Sequence, residues 1–172
     1  MRLKMLLLGG GLLVSSLTWA QSNSNDKVLK GKIDMKTLMN GSEYAWFYKG
    51  VNDYQPNDNM LNYIKSNRTN FNIVAVLGTW DQTSRDVVPQ LYKVMIMGGS
   101  PEEQVTMFGA DQKMNTDAPT DYKVKKVPTI IVFKDGKEEG RIVGAPKESI
   151  EADLSRILLK SSKGDKPAKG EE

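Results

Sequence analysis

At 172 residues, with 39% hydrophobic and 26% charged side chains, the chain suits one globular domain with a sizeable core and leaves little room for a second. Its 24 Lys+Arg against 21 Asp+Glu give +3, spread along the chain rather than gathered in a phosphate-binding stripe, so nucleic acid is not an expected partner. Cys and His are both absent, which removes disulfides, thiolate nucleophiles, imidazole triads and the usual nitrogen and sulfur zinc sites; carboxylates, Lys, Tyr and hydroxyls remain, and no metal or cofactor is expected.

The first twenty residues read as an address. Arg2 and Lys4 precede an apolar run from Met5 to Leu17, and Thr18-Trp19-Ala20 sets small residues at the third-last and last positions before a cut. This is the pattern of a secretory signal peptide over 1–20 and implies a periplasmic or secreted protein. The alternative, an uncleaved anchor, asks a short apolar run to do what takes roughly 20 residues, so no membrane span is expected after cleavage. Removing twenty residues from 172, and with them two of the 24 basic side chains, leaves 152 residues with 22 basic and 21 acidic, nearly neutral. With no cysteine, such a chain must be held together by its core alone.

Residues 21–32, polar and rich in Ser, Asn and Lys, read as a flexible lead-in, and 161–172 as a disordered tail. The domain between them runs over 33–160. Its first part, 33–68, is expected to be a helical extension: apolar and aromatic residues recur from Leu38 through Tyr44, Trp46, Phe47, Tyr48 and Val51, broken at Asn40-Gly41 and at Gly50. Packing is the expected role of these aromatics, with a ligand or carbohydrate platform as the other reading. Pro56-Asn57-Asp58 caps a further helix in which Met60, Leu61 and Ile64 share a face.

Phe71 to Gly78 is a short apolar run of the kind buried on both faces of a sheet. A helix over Asp81–Met97 follows, with Val87, Val88, Leu91, Val94 and Met95 on its apolar face, Pro89 inside it and Gly98-Gly99 ending it. Gln104–Ala110 and Thr129–Phe133 are further strands. Asp135-Gly136 turns into Glu139–Val143, and Ser149–Leu159 closes the chain as a helix with Ile150, Leu154, Ile157 and Leu158 on one side.

This order, together with three local motifs, resembles the thioredoxin superfamily. Gly78-Thr79-Trp80-Asp81-Gln82-Thr83-Ser84-Arg85 is similar to the strand-to-helix junction in which Trp precedes Cys-x-x-Cys, and Pro89 stands where the family kinks this helix. Lys126-Val127-Pro128-Thr129 resembles the Val-Pro-Thr loop with its cis proline, and Phe133 to Gly144 the closing hairpin. Ser84, Arg85, Val88, Pro89 and Tyr92 also agree with the exported Bacteroidetes-type members, whose segment reads Gly-Thr-Trp-Cys-x-Asp-Ser-Arg before Val-Pro-x-x-Tyr. The resemblance implies an α/β thioredoxin-like fold, a central mixed sheet flanked by helices, with an N-terminal helical extension.

The chemistry departs from that pattern. The resemblance places the attacking thiolate at position 81 and the second cysteine at 84, where this chain has Asp81 and Ser84; the family's intervening Asp is Thr83, and the buried carboxylate six residues upstream is Ala75. A helix N-terminus that stabilises a thiolate also accepts a carboxylate, so Asp81 is expected to cap the helix through the amide of Thr83 or Ser84. A serine nucleophile at Ser84 would need Lys125 or Lys126 to fold over the helix start.

No catalytic residue is assigned. What the resemblance implies is a redox-inactive binding or accessory module, in which Trp80, Asp81, Val127, Pro128 and Thr129 line a groove holding an extended peptide or partner protein. Trp80 is either part of that contact surface or a roof on the core. Two other readings stand beside it: kinship to thiol-disulfide oxidoreductases by descent alone, and an enzyme using Asp81 as base or metal ligand.

Overall fold

The structure, a computed structural model, describes residues 27–164. The expected signal peptide and most of the expected tail lie outside them. In chain order the elements are β1 (Gly31–Ile33), α1 (Met35–Asn40), α2 (Ala45–Asp53), α3 (Asp58–Ser66), β2 (Asn72–Leu77), α4 (Gln82–Met97), β3 (Val105–Gly109), β4 (Thr129–Lys134), β5 (Lys137–Val143) and α5 (Ile150–Gly164). The strands form one sheet in the order β1-β3-β2-β4-β5, with β2 and β3 parallel and the other pairs antiparallel.

The continuous apolar run of β2 is explained by burial on both faces. Ile73, Ala75 and Leu77 join Ile130 and Val132 of β4 in the larger core, against residues from all five helices. Val74 and Val76 join Ile131 in a second cluster on the opposite face, covered by Ala110, Ala118 and Val127 of the β3–β4 connection and by Trp80, Tyr122 and Phe133 packed around them. The result is the thioredoxin-like architecture, a mixed sheet flanked by helices. Among the described residues no helix is long and apolar enough to cross a membrane.

The expected face of α4 is buried residue for residue, Val87, Val88, Leu91, Val94 and Met95, with Pro89 inside the helix. On α3, Leu61 and Ile64 are buried but Met60 is exposed, one position too far round the helix. Gly50, expected to break the extension, lies inside α2 instead. A Cβ there would stand 2.8 Å from Pro89 Cβ, so the missing side chain is what lets α2 lie directly on α4. Phe47 is fully buried and Trp46 and Tyr54 pack against the core, whereas Tyr48 is 54% exposed.

Two boundaries move. The expected lead-in is not free: residues 27–33 are ordered against the sheet, ending in β1, whose Gly31, Lys32 and Ile33 pair with Gly109, Phe108 and Met107. Gly109 permits this, since a Cβ on it would meet the Leu29 carbonyl oxygen at 2.3 Å. At the other end α5 runs through Gly164, past the expected limit at 160, with Ser161 buried in its last turn.

Candidate functional site

The strand register brings the expected site residues to one end of the sheet. Thr129 pairs with Val76, so Pro128 and Val127 leave β4 beside the point where Gly78 to Asp81 leave β2. Trp80 packs on the cluster that contains Val127. Its indole N–H donates to the Ala110 carbonyl at 2.9 Å, so one edge of the ring is tied to the end of β3 and roofs the second core cluster. Val127, Pro128 and Thr129 are buried, and the Val127–Pro128 peptide bond is cis. The Thr129 hydroxyl donates to Lys126 O at 2.6 Å and Gly144 N–H to Pro128 O at 2.8 Å, which fastens the loop on both sides of the proline. No turn, loop or cap hydrogen bond among the described residues uses the Val127 backbone.

Asp81 caps α4, in an extended conformation suited to that position (φ −90°, ψ 123°). Its Oδ2 accepts both the Ser84 N–H at 2.7 Å and the Ser84 hydroxyl at 2.8 Å. Ser84 Oγ in turn accepts the Gly78 N–H at 3.2 Å, and Ser84 is fully buried. Asp81 and Ser84 therefore form a hydrogen-bonded carboxylate–hydroxyl pair. This uses the cap and the hydroxyl for each other: Ser84 has no lysine partner in its bonds, and Lys125 and Lys126 are exposed. Among the described residues no group of three His, Cys, Asp or Glu is placed to hold a metal ion.

Residues that the motifs do not advertise complete the surroundings. Thr79 is fully buried; its hydroxyl donates to Lys27 O at 3.1 Å and accepts Leu29 N–H at 3.2 Å. Tyr44 Oη donates to the same Lys27 carbonyl at 3.1 Å, so the segment entering β1 is strapped across the start of the Trp80–Asp81 turn. Lys30 pairs with Asp111 at 2.7 Å, and this contact, with the Asn115 side chain and amide, holds the Asp111 carboxyl well below the usual range. Arg85 Nε donates to Thr79 O at 2.7 Å and its guanidinium lies 5.7 Å from the Trp46 ring centroid. The one sequence signal for the strap is Gly109, because a glycine inside a strand marks close approach of another backbone.

Glu151, in the first turn of α5, is only 2% exposed. It accepts the Tyr54 hydroxyl at 2.7 Å and the Asn57 N–H at 2.9 Å, joining the extension to the last helix. Burial alone would raise its pKa, but the Asn57 amide, the Tyr54 hydroxyl and further donors outweigh burial and leave it below the usual value; burial first, then the carboxylate, pushes Tyr54 up.

The thioredoxin family model matches residues 57–156. Thioredoxin H2-2 of Oryza sativa subsp. japonica is 29% identical over 98 residues, 57% of this chain and 70% of that protein. A thioredoxin of Staphylococcus saprophyticus is 27% identical over 98 residues, 56% of this chain and 91% of the relative. Among solved structures, Fasciola hepatica thioredoxin is similar at 24% identity and a TM-score of 0.39, with 58% of this chain and 88% of that one covered. With the family match spanning more than half its length, over the very segment that contains the Trp80–Asp81 turn and the Val127–Pro128–Thr129 loop, this cysteine-free chain belongs to the thioredoxin family.

Proposed function

We propose that the protein is an exported, redox-inactive thioredoxin-family module that holds an extended segment of a partner protein against Trp80, Asp81, Val127, Pro128 and Thr129. The observation that carries this is the Asp81–Ser84 pair: the turn and the helix start are joined by hydrogen bonds, with one carboxylate oxygen committed to both Ser84 donors. A surface that cannot exchange disulfides can still present backbone, and the Val127 N–H and C=O, which no turn, loop or cap hydrogen bond among the described residues takes, are the groups this reading assigns to an extended segment adding as a strand does. Export rests on the leader pattern of residues 1–20, and kinship to the Bacteroidetes-type exported members on Ser84-Arg85 and Val88-Pro89-x-x-Tyr92. Against a carboxylate base or metal ligand at Asp81 stands the cap, in which both Ser84 donors take its Oδ2.

A pull-down from the periplasm tests this reading. The unaltered protein retains a partner that both Trp80→Ala and Pro128→Ala lose, with each variant's thermal unfolding showing that it is folded. Retention of the same partners by folded variants, or of none by the parent, refutes it. N-terminal sequencing of the exported protein should begin at Gln21; a chain that starts at Met1 contradicts export by cleavage.

A further inference from the structure

Between α2 and α4 lies an open cleft of about 460 Å³, within the range of small-ligand sites. One wall is the α4 face bearing Gln82, Asp86 and Gln90 at i, i+4 and i+8. Eight residues of helix at ~1.5 Å each set three planar polar groups along about 12 Å. The facing wall, on and just after α2, carries Trp46, Asp53 and Tyr54.

The charges in the cleft balance. Lys49 pairs with Asp53 within α2, and Arg85 and Asp86 bring one charge of each sign from α4. Gln82 Nε2 donates to Asp86 Oδ1 at 2.8 Å, which ties an amide and a carboxylate together at one end of the row.

These features select a ligand class by exclusion. An anion would meet Asp53 and Asp86, and a cation would meet Lys49 and Arg85. An apolar molecule would strip water from charged groups and replace none of its bonds. A neutral molecule dense in neighbouring hydroxyls answers all of them. Paired hydroxyls match the two-pronged geometry of carboxylates and carboxamides, and a ring's C–H face covers an aromatic side chain.

We propose that the α2–α4 cleft is a carbohydrate site that takes two rings of a neutral oligosaccharide. It shares no residue with the Trp80–Pro128 groove and stands without that reading.

The test is a titration of the isotope-labelled protein with N,N′-diacetylchitobiose and with maltose, followed by amide NMR shifts. At least one sugar should give saturable shifts confined to α2 and the first turns of α4. Asp86→Ala should weaken that binding about tenfold, the loss of one hydrogen bond to a charged group. Asp58→Ala, on α3 away from the cleft, should leave it unchanged. The proposal is overturned if neither sugar saturates, if a folded Asp86→Ala binds as the parent does, or if an uncharged pentapeptide shifts the same amides more strongly than both sugars.

Discussion

Replacing Asp81 by alanine probes the hydrogen-bonded unit at the start of α4. The substitution removes one oxygen that accepts two hydrogen bonds, from the Ser84 amide at 2.7 Å and from the buried Ser84 hydroxyl at 2.8 Å. Loss of an N-cap costs about 0.5–2 kcal/mol. A buried hydroxyl left without an acceptor adds about 1–3 kcal/mol, part of which the hydroxyl recovers by turning. Together these give ~2–4 kcal/mol, or a fall in Tm of ~6–12 °C at about 3 °C per kcal/mol for a domain of this size. Asp81→Asn keeps an acceptor and is an equally good cap, so its loss is the charge–dipole contribution of about 0.3–1 kcal/mol. Urea denaturation measured by circular dichroism gives both values from the midpoint at constant slope. A folded Asp81→Ala that loses less than ~0.5 kcal/mol, or an Asp81→Asn that loses as much as the alanine variant, refutes the closed pair.

Three further outcomes follow from other contacts. Glu151 has a folded-state pKa below its ordinary 4.5, so its contribution is complete above that value and is lost as pH falls through the lower one; Glu151→Gln should cost ~1–3 kcal/mol at neutral pH and lose that acid dependence, which unfolding curves between pH 7 and pH 3 will show. Thr79→Val removes the hydroxyl that links Lys27 and Leu29, and should speed tryptic cleavage at Lys27 or Lys30 about tenfold while Thr79→Ser restores protection. The protein as it stands should reduce no insulin, and Asp81→Cys should acquire a thiol that reacts with a disulfide reagent at neutral pH because its thiolate sits at a helix N-terminus; an inert thiol in a folded variant contradicts the geometry of that turn.

Much of this was legible in the sequence where a signal was repeated. The both-faces burial of β2 follows from five apolar residues in a row, Ile73 to Leu77, the α4 face from its spacing, and the cap from an acidic residue directly after a strand and a turn. β1 was not legible: three residues, two of them Gly and Lys, carry no periodicity, and the strand exists because β3 offers an open edge and Gly109 leaves room beside it. Gly50 read as a break because helix propensity is local, whereas its place in α2 is set by contact with Pro89 on another helix. Of the site, the motifs placed Trp80, Asp81 and Pro128 at one end of the sheet. They could not show that the Ser84 hydroxyl is shared between Asp81 and Gly78, nor that Thr79 anchors the chain 50 residues before it, since such partners depend on distances in space.

The central claim is that the end of the sheet around Val127 and Trp80 binds an extended segment of another protein without thiol chemistry. A photoreactive amino acid placed at Lys126, beside that loop, and for comparison at the exposed Tyr48, tests it most directly in the cell that makes the protein. Crosslinks from position 126 should map by mass spectrometry to one contiguous segment of a partner, disappear with Trp80→Ala, and be absent from position 48. Equal crosslinking from both positions, or crosslinks from 126 that persist in a folded Trp80→Ala, would contradict it.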